Sequence, residues 1–97
     1  MPEAHLSLQI IPMTEKERLY PIVDKVIDYI KKSGVRYIVG PMETTMEGEL
    51  DLLFDIAKEA HRICLEEGAW RVGAVIKTDV LPEGIRFEDK IGKYKQV

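Results

Sequence analysis

The chain has 97 residues, 45% of them apolar and 32% charged, and a formal net charge of −3. That length makes one domain spanning residues 1–97, with a modest core that buries about 60–65% of the unfolded surface, and the apolar share excludes an intrinsically disordered chain. The acidic balance argues against a nucleic-acid partner, the single Cys64 excludes an internal disulfide and a multi-cysteine zinc site, and no apolar run approaches the roughly 20 residues of a membrane span.

A lone cysteine fits a reducing compartment. The start Met1-Pro2-Glu3-Ala4-His5 lacks the basic and apolar stretches of a secretion signal, so a cytoplasmic location is expected. Residues 5–13 alternate, with Leu6, Leu8 and Ile10 on one side and His5, Ser7, Gln9 and Ile11 on the other. This is the period of a half-buried strand, and His5, at its start, is expected at the surface. Thr14 with Glu17 reads as a capping box opening a helix, whose apolar stripe is Leu19, Ile22, Val23, Val26, Ile27 and Ile30. Pro21 lies early enough to be tolerated, Lys31 and Lys32 suit the C-terminal dipole, and Gly34 ends the helix.

Val35, Tyr37 and Val39 form the apolar face of a second strand. Gly40-Pro41 is a turn into a third, which places Glu43, Thr45 and Glu47 on one face and Met42, Thr44 and Met46 on the other. A second helix covers residues 49–67. Its main stripe is Leu50, Leu53, Phe54, Ala57, Ala60, His61 and Cys64, beside a second one of Leu52, Ile56 and Ile63. That arc is wider than one sheet-facing surface needs, so part of it is expected to contact another chain. A fourth strand spans residues 70–78, with Trp70, Val72, Ala74 and Ile76 opposite Arg71, Gly73, Val75 and Lys77. After the Pro82-Glu83-Gly84 turn, Phe87, Ile91 and Tyr94 mark a short terminal helix with one apolar face.

The order βαββαβ predicts an α+β, ferredoxin-like sandwich. Its four-stranded antiparallel sheet has the order 4-1-3-2, with two helices on one face and the short C-terminal helix after them. The other face is expected to be bare, carrying Ser7, Gln9, Ile11, Arg36, Ile38, Glu43, Thr45, Glu47, Gly73, Val75 and Lys77. Strands one and three are neighbours there, so Gln9 and Ser7 meet Glu43 and Thr45. The mixture of small, apolar and hydrogen-bonding groups fits a face that pairs with another sheet around a polar pocket.

Plainer readings exist for each residue. Thr45 and Glu47 can be a solvated edge, and Glu47-Gly48 can serve the second helix's N-terminus. His61 reads as a core or interface histidine, Cys64 as a small hydrophobe, and Lys77 and Asp79 as surface charges. His5, His61 and Cys64 make no metal-ligand spacing, so no metal is expected. The central strands carry no open-face aromatic of the kind that stacks RNA bases. No anion-cradling loop with an arginine is present, and the spacing suggests no His–carboxylate pair, which argues against an enzyme.

The chain resembles the thiamine-binding, YkoF-like family of small ferredoxin-like proteins. The resemblance covers almost the whole chain. It rests on Ile10-Ile11-Pro12, on Gly40-Pro41 running into Thr44-Thr45-Met46-Glu47-Gly48, on Lys58-Glu59-Ala60-His61, on Arg71-Val72, and on Glu88-Asp89-Lys90-Ile91. It implies a non-enzymatic binder of thiamine or its hydroxymethylpyrimidine moiety, assembled as a homodimer or homotetramer, with no cofactor and no nucleic-acid or membrane partner. The candidate ligand-binding residues, read from the open-face parity of the adjacent strands together with the Thr-Thr stretch, are Ser7, Gln9, Glu43, Thr44, Thr45 and Glu47, with Trp70 available for a cation–π contact to the thiazolium. Glu43 departs from the family, where the position before Thr-Thr is commonly small or an amide; a carboxylate there strengthens cation binding or crowds the pyrimidine. The alternative is an ACT-like structural or regulatory oligomer that binds another small metabolite.

Overall fold

A computed structural model describes residues 2–94. In chain order the elements are β1 (Ala4–Met13), α1 (Lys16–Lys32), β2 (Arg36–Val39), β3 (Thr44–Gly48), α2 (Leu50–Glu66), β4 (Arg71–Val80) and α3 (Phe87–Ile91). The sheet is antiparallel with the order β2-β3-β1-β4, the arrangement expected of the ferredoxin-like motif. Among the described residues, no helix is long and apolar enough to cross a membrane.

The core forms where the alternating strand residues meet the helical stripes. Leu6, Leu8 and Met46 of the sheet pack against Ile22, Val26 and Ile30 of α1 and Leu53, Ile56, Ala57, Ala60 and Cys64 of α2. Ile56, expected on a stripe facing another chain, is thus part of this core, whereas Leu52 and Phe54 stay exposed. Burial pushes the Cys64 thiol pKa up, as for a packed hydrophobe. Gly34 and Gly68 follow the two long helices at φ of +85° and +108°, a conformation that disfavours any Cβ.

Several local expectations are corrected. The N-cap of α1 is Glu15 and makes no side-chain cap hydrogen bond, so the Thr14–Glu17 capping box does not form. The third strand begins at Thr44. Met42 and Glu43 lie instead in a bend closed by the Gly40 N–H donating to the Glu43 carbonyl at 2.8 Å. A Cβ on Gly40 would meet that carbonyl at 3.1 Å, which makes glycine the fitting residue. Trp70 precedes β4 and is 70% exposed, away from the helix-covered core.

The largest correction concerns the sheet face opposite α1 and α2. It is not bare: α3 turns back and covers one end of it. The Ile85 N–H donates to the Pro2 carbonyl and the Leu81 N–H to the Glu3 carbonyl, both at 2.9 Å or less, tying the returning chain to the start of β1.

Candidate functional site

The strands differ in length, and that difference shapes the site. β1 and β4 have ten residues each, whereas β3 has five and β2 four. β3 therefore accompanies β1 only from Ala4 to Leu8, where Thr44 faces Leu8. Beyond that point β1 continues beside β4 alone, from Gln9 to Met13. The space left is bounded by the Gly40–Glu43 bend and by the apolar stripe of α1.

A cavity of about 320 Å³ occupies it. Its walls are mostly apolar: Leu8, Ile10 and Pro12 of β1, Leu19, Val23 and Ile27 of α1, and Val39 and Met42 of the hairpin. Gln9, Glu43 and Thr44 are its polar lining residues, with Tyr20 at the α1 side; Thr44 belongs to the helix-side face, whereas alternation directs the Gln9 side chain to the open-face side of the opening. An apolar enclosure of this size with a few convergent polar groups has the make-up of a small-molecule pocket. Glu43 also approaches Lys77, with 3.5 Å between carboxylate and ammonium, so the cavity mouth joins the open sheet face.

On that face Ser7 pairs with Thr45 across β1 and β3 and with Lys77 across β1 and β4. Thr45 lines a second cavity of about 250 Å³ beneath α3, together with His5, Ile38, Phe87, Lys90 and Ile91. The six expected ligand residues are thus distributed. Gln9, Glu43 and Thr44 line the α1 cavity, Thr45 lines the α3 cavity, Ser7 lies on the strand next to Thr45, and Glu47 lies under α3. Thr44 enters its cavity from the helix-side face, as strand alternation requires.

Glu47 has extensive intrachain commitments. Its Oε1 accepts from His5 Nε2 at 2.9 Å and from the Phe87 N–H at 2.6 Å, and its Oε2 accepts from Arg36 at 3.4 Å. Burial alone would push its carboxyl pKa up, but these donors outweigh burial and hold it below the usual carboxylate value. Arg36 in turn makes a two-pronged contact with Glu88 of α3, which holds that carboxyl down to about 2.

His5 corrects two expectations, since it is 4% exposed and forms a His–carboxylate pair with Glu47. Its ring stacks on Phe87 with centroids 4.7 Å apart. Lys90 donates to His5 Nδ1 at 2.9 Å and also meets Asp79 at 2.8 Å. Because an ammonium only donates, Nδ1 accepts and Nε2 carries the proton given to Glu47. The alternation did place His5 and Glu47 on one face, and the register puts them directly opposite; that pairing was the signal available. His61 donates from Nδ1 to the Ala57 carbonyl at 2.7 Å, consistent with a packed histidine.

Comparison with known proteins places this geometry in a family. Residues 6–95 match the family described as thiamine-binding protein. A UPF0045 protein of Clostridium perfringens is 50% identical over 95 residues, spanning 98% of this chain and 100% of its own length. A Bacillus cereus domain of unknown function superposes with a TM-score of 0.90 at 40% identity, covering 99% of this chain and 94% of that one. A Thermotoga maritima protein with a provisional assignment to thiamine biosynthesis or salvage superposes at 0.87 with 35% identity, over 97% of this chain and 100% of its own. On its sequence match and on its fold, the chain belongs to the thiamine-binding protein family.

Proposed function

We propose that this protein binds thiamine or its hydroxymethylpyrimidine moiety without catalysing a reaction. The observation that carries the reading is the α1 cavity, where an otherwise apolar wall carries Thr44 on its helix side and opens toward Gln9 and Glu43. The aminopyrimidine ring enters that wall, and the thiazolium lies at the mouth, where Glu43 offsets its charge. Ser7 and Thr45 extend the polar surface along the open face. Glu47, occupied by His5, Arg36 and Phe87, positions α3 beside the site. The family match and the provisional thiamine assignment of the Thermotoga relative support the choice of ligand.

A second copy of the chain closes the open face. Val75 lies there 50% exposed, with Ile11 partly buried on the neighbouring strand, so the site is read as lying near a subunit boundary. Thermal melting with thiamine, hydroxymethylpyrimidine, amino acids and nucleotides tests the reading. A ligand at a hundred times its Kd stabilises the folded state by about 2.7 kcal/mol. The expected outcome is a raised Tm with thiamine or hydroxymethylpyrimidine and none with the others. A shift with amino acids or nucleotides alone would replace the thiamine reading by that of a regulatory oligomer.

A further inference from the structure

The cavity has a polar lining besides its side chains. In a regular antiparallel strand, successive residues direct their N–H and C=O groups to opposite neighbours. The Glu3 carbonyl accepts from Leu81 and the Met13 carbonyl from Trp70, both on the β4 side. The β1–β4 register runs unbroken between those points, from Ala4 opposite Val80 to Met13 opposite Arg71. Odd-numbered residues of β1 therefore face β4, and even-numbered ones face β3. β3 starts at Thr44, opposite Leu8, so Ile10 and Pro12 direct their backbone groups to a stretch with no β3 residue across from it. Both residues line the cavity.

The edge is asymmetric. Ile10 contributes one N–H and one C=O, but Pro12 contributes a C=O alone, because proline has no amide hydrogen. Proline is tolerated in a strand where its missing donor faces away from a ladder, which is its situation here. With the Glu43 carboxylate nearby, the cavity holds more acceptors than donors.

We infer that the free β1 edge at Ile10 and Pro12 is the element that reads the ligand's ring, and that it selects a 4-aminopyrimidine over a 4-oxopyrimidine. This rests on the thiamine-type reading above. The Ile10 N–H donates to a ring nitrogen, and the exocyclic amine donates to a carbonyl of the same edge. A 4-oxo ring reverses both groups: its N–H faces the Ile10 N–H, and its oxygen faces the backbone carbonyls.

The test measures calorimetric affinities of hydroxymethylpyrimidine and its 4-oxo analogue for the wild type and for Pro12→Ala, with melting curves in parallel. The wild type is expected to prefer the amino form by roughly 10- to 100-fold, from unmet and opposed hydrogen bonds. Pro12→Ala restores an N–H on the cavity side, so the preference should narrow, chiefly through tighter binding of the oxo form. The Ile10 amide resonance of the wild type supplies a readout independent of the variant's folding, and hydroxymethylpyrimidine should shift it and slow its hydrogen exchange. Equal wild-type affinities for the two rings, or an Ile10 amide unmoved by bound hydroxymethylpyrimidine, would overturn the edge assignment while leaving the thiamine reading intact. Binding of neither thiamine nor hydroxymethylpyrimidine would remove both.

Discussion

His5 and Glu47 form a buried pair whose further partners come from two other elements, Arg36 of β2 and Phe87 and Lys90 of α3. Removing Glu47 leaves the His5 Nε2–H and the Phe87 N–H without their acceptor in a site that solvent scarcely reaches, and hydrogen bonds to a charged group contribute about 1.5–3 kcal/mol. Glu47→Gln should therefore lower stability by about 1.5–3 kcal/mol in chemical denaturation, because the amide nitrogen would oppose one of the donors that Oε1 or Oε2 now accepts. An unchanged midpoint would show that the pair contributes little. Thr44→Val keeps the shape of the α1 cavity and removes one hydroxyl from it. If that hydroxyl meets the ligand, affinity for hydroxymethylpyrimidine should fall about 5- to 150-fold with no change in Tm. The same exchange at Thr45 tests the open-face side of the site, where an equal affinity would place Thr45 outside the ligand's reach.

At the level of elements, α3 shows how far hydrophobic pattern carries. Phe87 and Ile91 announced an apolar helix face, but their spacing says nothing about where that face docks. The docking site comes from long-range partners, Arg36 with Glu88 and Lys90 with Asp79, that no local period encodes. By contrast, the alternation along β1 and the stripes of α1 and α2 were legible, because each buries residues at a fixed period against the same core. The α1 cavity was half legible. Gln9, Glu43 and Thr44 stood out as chemistry, but the early end of β3 depends on the Gly40–Glu43 bend, and a Thr-Thr stretch after Met-Glu reads equally well as a longer strand.

The α3 contacts also set a pH dependence. Glu47 and Glu88 both ionise more readily in the folded protein than free carboxylates do. Depressed carboxyls contribute stability in full above their ordinary value of 4.5, and that contribution is lost as pH falls through the folded values, about 2 for Glu88. Hydrogen exchange at the Phe87 amide, corrected for intrinsic rates, should be flat above pH 4.5 and accelerate as pH drops toward 2. Glu88→Gln should weaken that dependence. A wild-type rate that stays constant through this range would contradict the role given to these carboxylates.

For the whole molecule, one ferredoxin-like layer leaves a sheet face that α3 covers at one end only. The rest, around Val75, is proposed to meet a second copy, which gives a closed symmetric assembly. Val75→Glu puts a charge into that contact and should shift light scattering toward a smaller species, while the fold persists because Val75 lies outside the intrachain core. A wild type that stays monomeric at micromolar concentration would remove the interface from the account. The central claim, that the space between α1 and the exposed end of β1 is the ligand pocket, has a more direct test. Val23 lines that space from α1, and Val23→Phe fills it. Calorimetric titration of hydroxymethylpyrimidine into the wild type and into Val23→Phe, with Tm compared in parallel, should show binding in the first and its loss in a still-folded second; equal binding by both proteins would place the ligand elsewhere.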